Sequence, residues 1–277
     1  MAMARRVIRA IRHRLYQNYF MGSRLSEFRR ILDTLRDTGY EFLTVEALVG
    51  RLLPGSSHAG KTCALRCDVD SDSRTARELF RELRKAGAVG TWYFRLATLD
   101  APLMREIAGA GHEIGYHFEE LATIAKRRGI RSADHIQQYF EEMQNEFCRN
   151  LETRYFPAAG AYPKTVASHG DFANRFLKVT NSCLVTENIR RRFGIVAETS
   201  DPLLTNATEL RRFSDQAAPK WWHPHEPTAH LPQGSDLMYI LFHPRQWRTR
   251  WLENTALDIE RVVDSVRYRI NRKRLNG

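Results

Sequence analysis

The chain has 277 residues and a mass of 32.2 kDa, which suffices for one large domain or two small ones with a buried core. Its 43% hydrophobic and 27% charged residues are typical of globular proteins, and no apolar run reaches the roughly eighteen residues of a membrane-spanning helix. The net charge of +11 lies at the two ends, because residues 1–36 carry +7, residues 248–277 carry +4, and residues 37–247 hold 26 basic and 26 acidic side chains. These values exclude disordered, fibrous and membrane-spanning classes, and the neutral core argues against a nucleic-acid partner.

Residues 1–22 are predicted to form a basic amphipathic segment. Val7, Ile8, Ile11 and Leu15 share one side of a helical wheel, and most of the arginines lie opposite. This pattern is typical of a helix on an anionic membrane surface, or of a helix packed on the domain with a solvated basic face. Because arginines also interrupt the apolar run that a secretory signal needs, we expect a cytoplasmic protein with peripheral contact at the inner face of the membrane.

Strands and helices alternate from residue 63 onward, which predicts a parallel sheet with crossover helices. The predicted strands have the sequences ALRCDVD, VGTWYFRL, HEIGYH, NSCLV, FGIVAE and DLMYILFH. Helices are predicted over 26–38 and 45–53, after caps at Ser73, Asp100 and Ser132, and near the C-terminus along Ile259, Val262, Val263, Val266 and Ile270. In folds of this kind the chemistry lies at the carboxyl ends of the strands.

Carboxylates and imidazoles stand at the ends of these predicted strands. One strand ends in Asp68 and Asp70, HEIGYH ends in His117, and DLMYILFH ends in His243, while His169 lies in a loop with Ser168 and Gly170. A divalent-metal hydrolase needs such a set, because oxygen and nitrogen ligands hold the ion and lower the pKa of bound water. A spare carboxylate can then take a proton, and a histidine can protonate the leaving group.

Each of these residues also has a structural interpretation. Asp68 or Asp70 could cap the helix that follows, and Glu119 and Glu120 could form a solvated helix start. The case for a metal site therefore depends on the set of residues and not on any one of them.

Together these segments resemble the polysaccharide deacetylases, known as carbohydrate esterase family 4, from about Ala64 to His243. GAGHEIGYH is similar to the family's G-H-E-I-G-x-H signature, GAVGTWYF to its second strand, CDVD to its paired aspartates and ILFHP to its last histidine motif. The resemblance implies an α/β fold, a distorted (β/α) barrel with mostly parallel strands. It also implies that residues 23–277 form a single catalytic domain, which hydrolyses an N-acyl group on a sugar with the help of a metal.

The resemblance assigns a role to each strand-end residue. Asp68 matches the catalytic base, Asp70 the metal-binding aspartate, His117 the first metal histidine, and His243 the histidine that assists the leaving group. Val69 separates the two aspartates, so their assignment stays open, with Asp72 as a further candidate.

Two departures from the family pattern affect the site. The family's second metal histidine falls at Leu121, whose apolar side chain cannot bind a metal, and the Arg-x-Pro motif is not visible. We predict His169 as the third metal ligand, with Glu119 or Glu120 as alternatives, and Zn²⁺ as the metal.

The segments GYHFEEL, SHG, FSDQAAPKW and HPRQW resemble a divergent branch associated with bacterial O-antigen and other surface-polysaccharide biosynthesis. In that branch Glu119 and Asp215 are expected near the substrate, and Trp221 and Trp247 are expected to stack on sugar rings unless they belong to the core. The predicted substrate is an amino sugar of a surface glycan or of its nucleotide- or lipid-linked precursor. A metal-free glycan-binding protein, or a hydrolase of a small amide on the same fold, is the alternative, and the sequence does not indicate an oligomeric state.

Overall fold

The computed structural model describes residues 12–13, 15–56, 60–234 and 236–270. Most of the predicted amphipathic segment, including Val7, Ile8 and Ile11, lies outside the described residues. None of the helices in the described part of the chain has the length and apolar character needed to span a bilayer.

The strands belong to one 9-stranded sheet within the described residues. They are β1 (Tyr40–Leu43), β2 (Lys61–Val69), β3 (Thr91–Phe94), β4 (Glu113–Phe118), β5 (Thr165–Ser168), β6 (Ala197–Glu198), β7 (Leu210–Asp215), β8 (Trp222–His223) and β9 (Asp236–Phe242). The order across the sheet is β6-β5-β4-β3-β2-β9-β7-β8, with β1 also paired to β2. Every pairing is parallel except that of β7 with β8.

Helices cover this sheet between the strands. They are α1 (Leu25–Asp37), α2 (Val45–Leu52), α3 (Ser73–Lys85), α4 (Ala101–Gly109), α5 (Glu120–Arg128), α6 (Ile136–Asn150), α7 (Phe156–Ala159), α8 (Phe172–Leu177), α9 (Glu187–Phe193), α10 (Pro202–Thr205) and α11 (Trp251–Ile270). The curled, mostly parallel sheet is an incomplete barrel, which confirms the expected distorted (β/α) barrel.

The core forms because apolar residues recur at the period of each element. On α3 the side chains of Ala76, Leu79, Phe80 and Leu83 are all buried, at the i, i+3, i+4, i+7 spacing of one helix face. Strand β2 is buried along nearly its whole length, as expected for a strand covered on both faces. Helices on both sides of the sheet therefore leave its carboxyl edge as the place where polar side chains converge.

Some predicted elements differ from the structure. NSCLV is a 3₁₀-helix over Asn181–Leu184 and not a strand. The Asn181 side chain explains this, because it accepts a hydrogen bond from the Ala122 amide at 3.1 Å and donates one to the His169 carbonyl at 2.6 Å. The segment FGIVAE forms a strand only at Ala197–Glu198, which is β6. Its first residue, Phe193, is the last residue of a helix, and Gly194 ends that helix in a left-handed conformation.

Other elements carried no clear signal in the sequence. Strands β1, β5, β7 and β8 were not predicted. The N-cap of α3 is Asp72 and not the predicted Ser73, because the Asp72 carboxylate accepts a hydrogen bond from the Thr75 amide at 2.9 Å. Neither Asp68 nor Asp70 caps this helix, so that structural alternative is removed. The missed strands are short, and their burial comes from neighbours distant in sequence.

Candidate metal centre and catalytic cavity

The carboxyl ends of β2, β4 and β5 bring Asp70, His117 and His169 together, with β3 lying between β2 and β4 in the sheet. Asp70 directly follows β2, His117 is the penultimate residue of β4, and His169 directly follows β5. Parallel pairing places β4 beside β5, with His117 opposite Ala167. One ligand atom from each of the three residues lies within 4.8 Å of the other two.

These donor atoms suit a divalent metal ion. The Nε2 atoms of His117 and His169 lie 3.1 and 3.7 Å from Asp70 Oδ1. This buried carboxylate oxygen has no hydrogen-bond partner among the described residues, which is costly unless a cation satisfies it. Two imidazole nitrogens and one carboxylate oxygen are ligands that catalytic zinc sites use, so the residues fit the expected cofactor.

Hydrogen bonds orient both imidazoles with Nε2 toward Asp70. His117 Nδ1 lies 3.0 Å from the Ala167 carbonyl, which can only accept, so this nitrogen carries the proton and donates it. His169 Nδ1 lies 2.9 Å from a carboxylate oxygen of Glu119. Burial lowers the pKa of His169, so its ring favours the neutral form that binds metals.

Glu119 lies behind His169 and is held there by Arg95. The Arg95 Nη2 atom donates to both Glu119 oxygens, at 2.8 and 2.9 Å, while Nη1 donates to the Asp70 carbonyl at 2.9 Å. Although burial alone would raise the pKa of Glu119, His169 and Arg95 outweigh it and lower that pKa. Glu119 therefore orients His169, a candidate ligand, and lies outside the lining of the cavity, which corrects its assignments as an alternative ligand and as a substrate contact.

Glu120 is also removed as an alternative ligand. It is buried at the start of α5, where it accepts hydrogen bonds from the Tyr116 hydroxyl and from Asn150 Nδ2. Burial raises the pKa of its carboxyl group. Leu121, at the position of the family's second histidine, is fully buried in the hydrophobic core.

Asp68 faces the same cavity and is paired with Arg66. Two guanidinium nitrogens donate to the two carboxylate oxygens, each at 2.7 Å, and Asp68 Oδ2 lies 3.6 Å from His117 Nε2. Burial would raise the pKa of Asp68, but the charges of Arg66 and His117 outweigh it and lower the pKa. Asp68 is therefore an ionised carboxylate beside the candidate metal centre.

His243 faces the cavity from β9, and Asp215 supports it from β7. Its Nδ1 atom lies 2.7 Å from Asp215 Oδ1, while its backbone amide donates to Asp215 Oδ2 at 2.7 Å. Burial lowers the pKa of His243, but the charge and hydrogen bond of Asp215, with the charges of Asp70 and Asp68, raise it to about 9. His243 is therefore an imidazolium at neutral pH.

These groups line a cavity of about 740 Å³ at the carboxyl edge of the sheet. Its lining residues are Arg66, Asp68, Asp70, His117, Ser168, His169, Gly170, Asp171, Phe172, Arg175, Leu241, His243, Val262, Ser265 and Val266. The three candidate metal ligands and Asp68 lie on or directly after β2, β4 and β5, and residues of α11 also line the cavity.

The other three predicted substrate contacts, like Glu119, lie outside this lining. Asp215 is buried behind His243, so it supports this histidine instead of touching substrate. Trp247 is fully buried and its indole Nε1 donates to Asp215 Oδ2 at 3.0 Å, so it cannot stack on a sugar. The partly buried ring of Trp221 is covered by the Arg24 guanidinium, 4.0 Å from its centroid.

Three arginines of the site were missed in the sequence. Arg66 precedes Asp68 by two residues and thus shares its face of β2, which the strand period could have revealed. Arg95 follows β3 and so obeys the same strand-end rule as the histidines. Arg175, on α8 at the rim of the cavity, had no signal of this kind.

Comparisons with known proteins give distant structural matches. No protein-family model and no curated protein sequence matches the chain. A deacetylase of Streptococcus pyogenes, PplD, solved with acetate, is 18% identical at a TM-score of 0.38, over 57% of this chain and 67% of that one. A CE4 family pseudoenzyme from Bacillus anthracis is 12% identical at a TM-score of 0.36, over 74% of this chain and 62% of that one.

A mutant of the same pseudoenzyme with restored enzymatic activity matches at 12% identity and a TM-score of 0.35, over 74% of this chain and 64% of that one. The chain thus spans less than two thirds of the length of the pseudoenzyme in either form. Both forms of this pseudoenzyme are of the CE4 family, which the sequence motifs of this chain resemble.

Proposed function

We propose that this protein is a metal-dependent amide hydrolase that removes an acetyl or similar small acyl group from an amino sugar. One observation carries the proposal: Asp70, His117 and His169 converge on one point, with Asp68 and His243 facing the same cavity. This arrangement combines a ligand set, a proton acceptor and a proton donor.

The proposed metal is Zn²⁺, held by Asp70 Oδ1 and the Nε2 atoms of His117 and His169. A divalent ion at this point supplies Lewis-acid polarisation of the acyl carbonyl and acidifies an attacking water. Glu119 and Ala167 fix the two imidazole rings, so the ligands are oriented before the ion binds.

Asp68 is the proposed general base. Arg66 keeps it ionised and immobile, and its Oδ2 atom faces the ligand set. It is therefore placed to accept the proton that the attacking water loses as the carbon–oxygen bond forms.

His243 is the proposed general acid. Its Nδ1 proton is bound to Asp215, so Nε2 carries the proton that can be delivered into the cavity. Breaking the amide requires protonation of the leaving nitrogen, and an imidazolium with a pKa of about 9 remains charged at neutral pH to do this.

The sugar substrate is proposed from the motif resemblance and from the shape of the site. A cavity of about 740 Å³ is large enough for a sugar ring together with its linked group. Serine hydroxyls, aspartates and arginines in its lining offer the polar contacts that sugar hydroxyls require. A surface glycan or its activated precursor is the proposed source of that sugar.

Metal content tests the proposal directly. Purified protein reconstituted with Zn²⁺ is expected to retain about one ion per chain by elemental mass spectrometry, as a three-ligand catalytic site does. His169→Gln and His117→Gln are each expected to lose it. His135→Gln, which changes an exposed histidine outside the cavity, is the matched control and should keep the full content.

Circular dichroism shows whether each variant is folded, and acetate release from N-acetylated amino-sugar oligosaccharides completes the test. A folded wild type that retains no metal after reconstitution would contradict the proposal and favour a metal-free glycan-binding protein. Metal lost with His117→Gln but kept with His169→Gln would remove His169 from the ligand set.

A further inference from the structure

The two ends of the described chain meet beside the catalytic cavity. The π-helical turn Tyr16–Phe20 lies against α11, where Asn18 Nδ2 donates to Asp258 Oδ2 at 2.7 Å. The Tyr19 hydroxyl lies 2.9 Å from Thr255 Oγ1. Buried Arg245 donates to Asn18 Oδ1 at 3.1 Å, so the contact between turn and helix is specific.

An apolar groove of about 360 Å³ runs between the turn and α11. We define the terminal surface as the exposed apolar residues of this groove, Leu15, Tyr19, Ile259, Val262 and Val263, together with the exposed Phe20 that follows Tyr19 in the chain. Phe20 is 74% exposed, Val262 62% and Ile259 58%. Apolar side chains grouped and exposed to this degree mark a docking surface, since exposed apolar residues usually occur singly.

The terminal surface is continuous with the catalytic cavity. Val262 lines both the groove and the cavity, and Ser265 and Val266, about one turn further along α11, line the cavity. Arg175 lines the same cavity and is exposed, and no carboxylate lies within ion-pair distance of it among the described residues. A substrate could therefore span the metal ligands, a cationic rim and an apolar groove.

Charge identifies the occupant of the terminal surface. The sequence carries +7 over residues 1–36 and +4 over residues 248–277, and among the described residues the exposed Arg12 lies about one turn before Leu15 of this surface. A second copy of this chain would bring equal positive charge against it. A bilayer with anionic headgroups instead accepts apolar side chains and attracts arginines.

We propose that the terminal surface docks on an anionic bilayer, and that the substrate is an amino sugar joined through phosphate to a lipid. The sugar lies at the metal ligands, the phosphate at Arg175, and the lipid chain leaves past Val262 along the groove. This proposal rests on the proposed hydrolase function, because it assigns the substrate of that same cavity.

Vesicle co-sedimentation tests the docking with the full chain loaded with Zn²⁺. Wild type is expected to bind vesicles of phosphatidylcholine with about one third phosphatidylglycerol, and to bind pure phosphatidylcholine weakly. The double variant Ile259→Gln, Val263→Gln keeps the charge, and its binding should fall about tenfold or more because two apolar side chains are removed from the bilayer. Val196→Gln is the matched control. Val196 is 50% exposed and directly precedes β6, so it stands at the amino end of its strand, whereas the cavity lies at the carboxyl ends.

A second vesicle experiment tests the assignment of the phosphate to Arg175. Adding a polyprenyl phosphate to phosphatidylcholine vesicles should increase binding of wild type severalfold, and Arg175→Gln should lose most of this increase while still binding phosphatidylglycerol. Equal increases in Arg175→Gln and wild type would overturn the phosphate assignment.

Metal content separates this proposal from the hydrolase proposal. Zinc-loaded wild type that fails to bind anionic vesicles, or a double variant that binds them as wild type does, would overturn the docking and leave the metal site standing. A wild-type dimer that the double variant makes monomeric would assign the terminal surface to a second copy and would also overturn it.

Discussion

Each histidine in the cavity is oriented by the group that binds its second ring nitrogen, while burial and nearby charges set its protonation state. The Ala167 carbonyl and the Glu119 carboxylate leave the Nε2 atoms of His117 and His169 free to bind a metal. His169 and His243 both bind a carboxylate through Nδ1, so burial and the surrounding charges separate them. Burial lowers the pKa of His169, whereas Asp215 together with Asp70 and Asp68 raises the pKa of His243 to about 9 and favours its imidazolium.

Replacing Glu119 should weaken metal binding without removing a ligand. Glu119→Gln takes away the negative charge that orients His169 and increases its basicity, so zinc affinity should fall about 10- to 100-fold. Competition with a chromophoric chelator measures this. Glu152→Gln changes an exposed glutamate as the control, and equal affinities in the two variants would show that Glu119 does not support the site.

Removing the charge of Asp215 should shift the pH profile. His243 has a pKa raised to about 9, so the acid form is lost as pH rises through that value. Asp215→Asn leaves Asp68 and Asp70 as the nearby charges that raise this pKa, and the basic limb of kcat/KM should move down by about one to two pH units. A basic limb that stays in place while kcat falls would assign Asp215 a purely structural role.

Among the elements, β4 is the strand whose position matters most to the site. It carries His117 between β3 and β5, and Gly115 allows these strands their close approach. A Cβ atom at Gly115 would lie 2.3 Å from ring carbons of Tyr93 and 2.9 Å from the Thr165 carbonyl oxygen. The position of the metal ligand therefore depends on a glycine two residues earlier.

Gly115→Ala should destabilise the protein by at least about 1–3 kcal/mol, because a tightly packed sheet cannot take the added methyl group. Gly109→Ala, at the end of α4 with open space around its Cβ, should be neutral or slightly stabilising. Thermal unfolding of both variants measures the difference. Equal midpoints would mean that Tyr93 moves aside at little cost.

At the scale of the whole molecule, metal binding should stabilise the fold. The three ligands come from β2, β4 and β5, which the unfolded chain does not hold together. Zinc at about a hundredfold excess over its Kd should add about 2.7 kcal/mol and raise Tm by several degrees. The shift should disappear in His169→Gln and persist in His135→Gln, and a wild type whose Tm does not respond would contradict the site.

Much of the architecture follows from local sequence. The alternation of apolar runs with helical periods predicts the mostly parallel sheet, and the buried stripe of α3 was visible as Ala76, Leu79, Phe80 and Leu83. Short elements were harder to predict from the sequence. Strand β5 has only 4 residues, and Asn181–Leu184 is helical because the Asn181 side chain forms hydrogen bonds with Ala122 and His169. Such contacts leave no periodic pattern in the chain.

The sequence alone determined which residues gather at the carboxyl edge, because strand polarity and the order of strand ends are local properties. Asp68, Asp70, His117 and His243 followed from that rule, whereas His169 was predicted from a loop because β5 carried no signal in the sequence. Only the tertiary structure decided that Glu119 orients His169, that Asp215 and Trp247 lie behind His243, and that the turn Tyr16–Phe20 lies against α11. These contacts join residues between about 30 and 240 positions apart, and their partners depend on strand register and on side-chain packing around each loop.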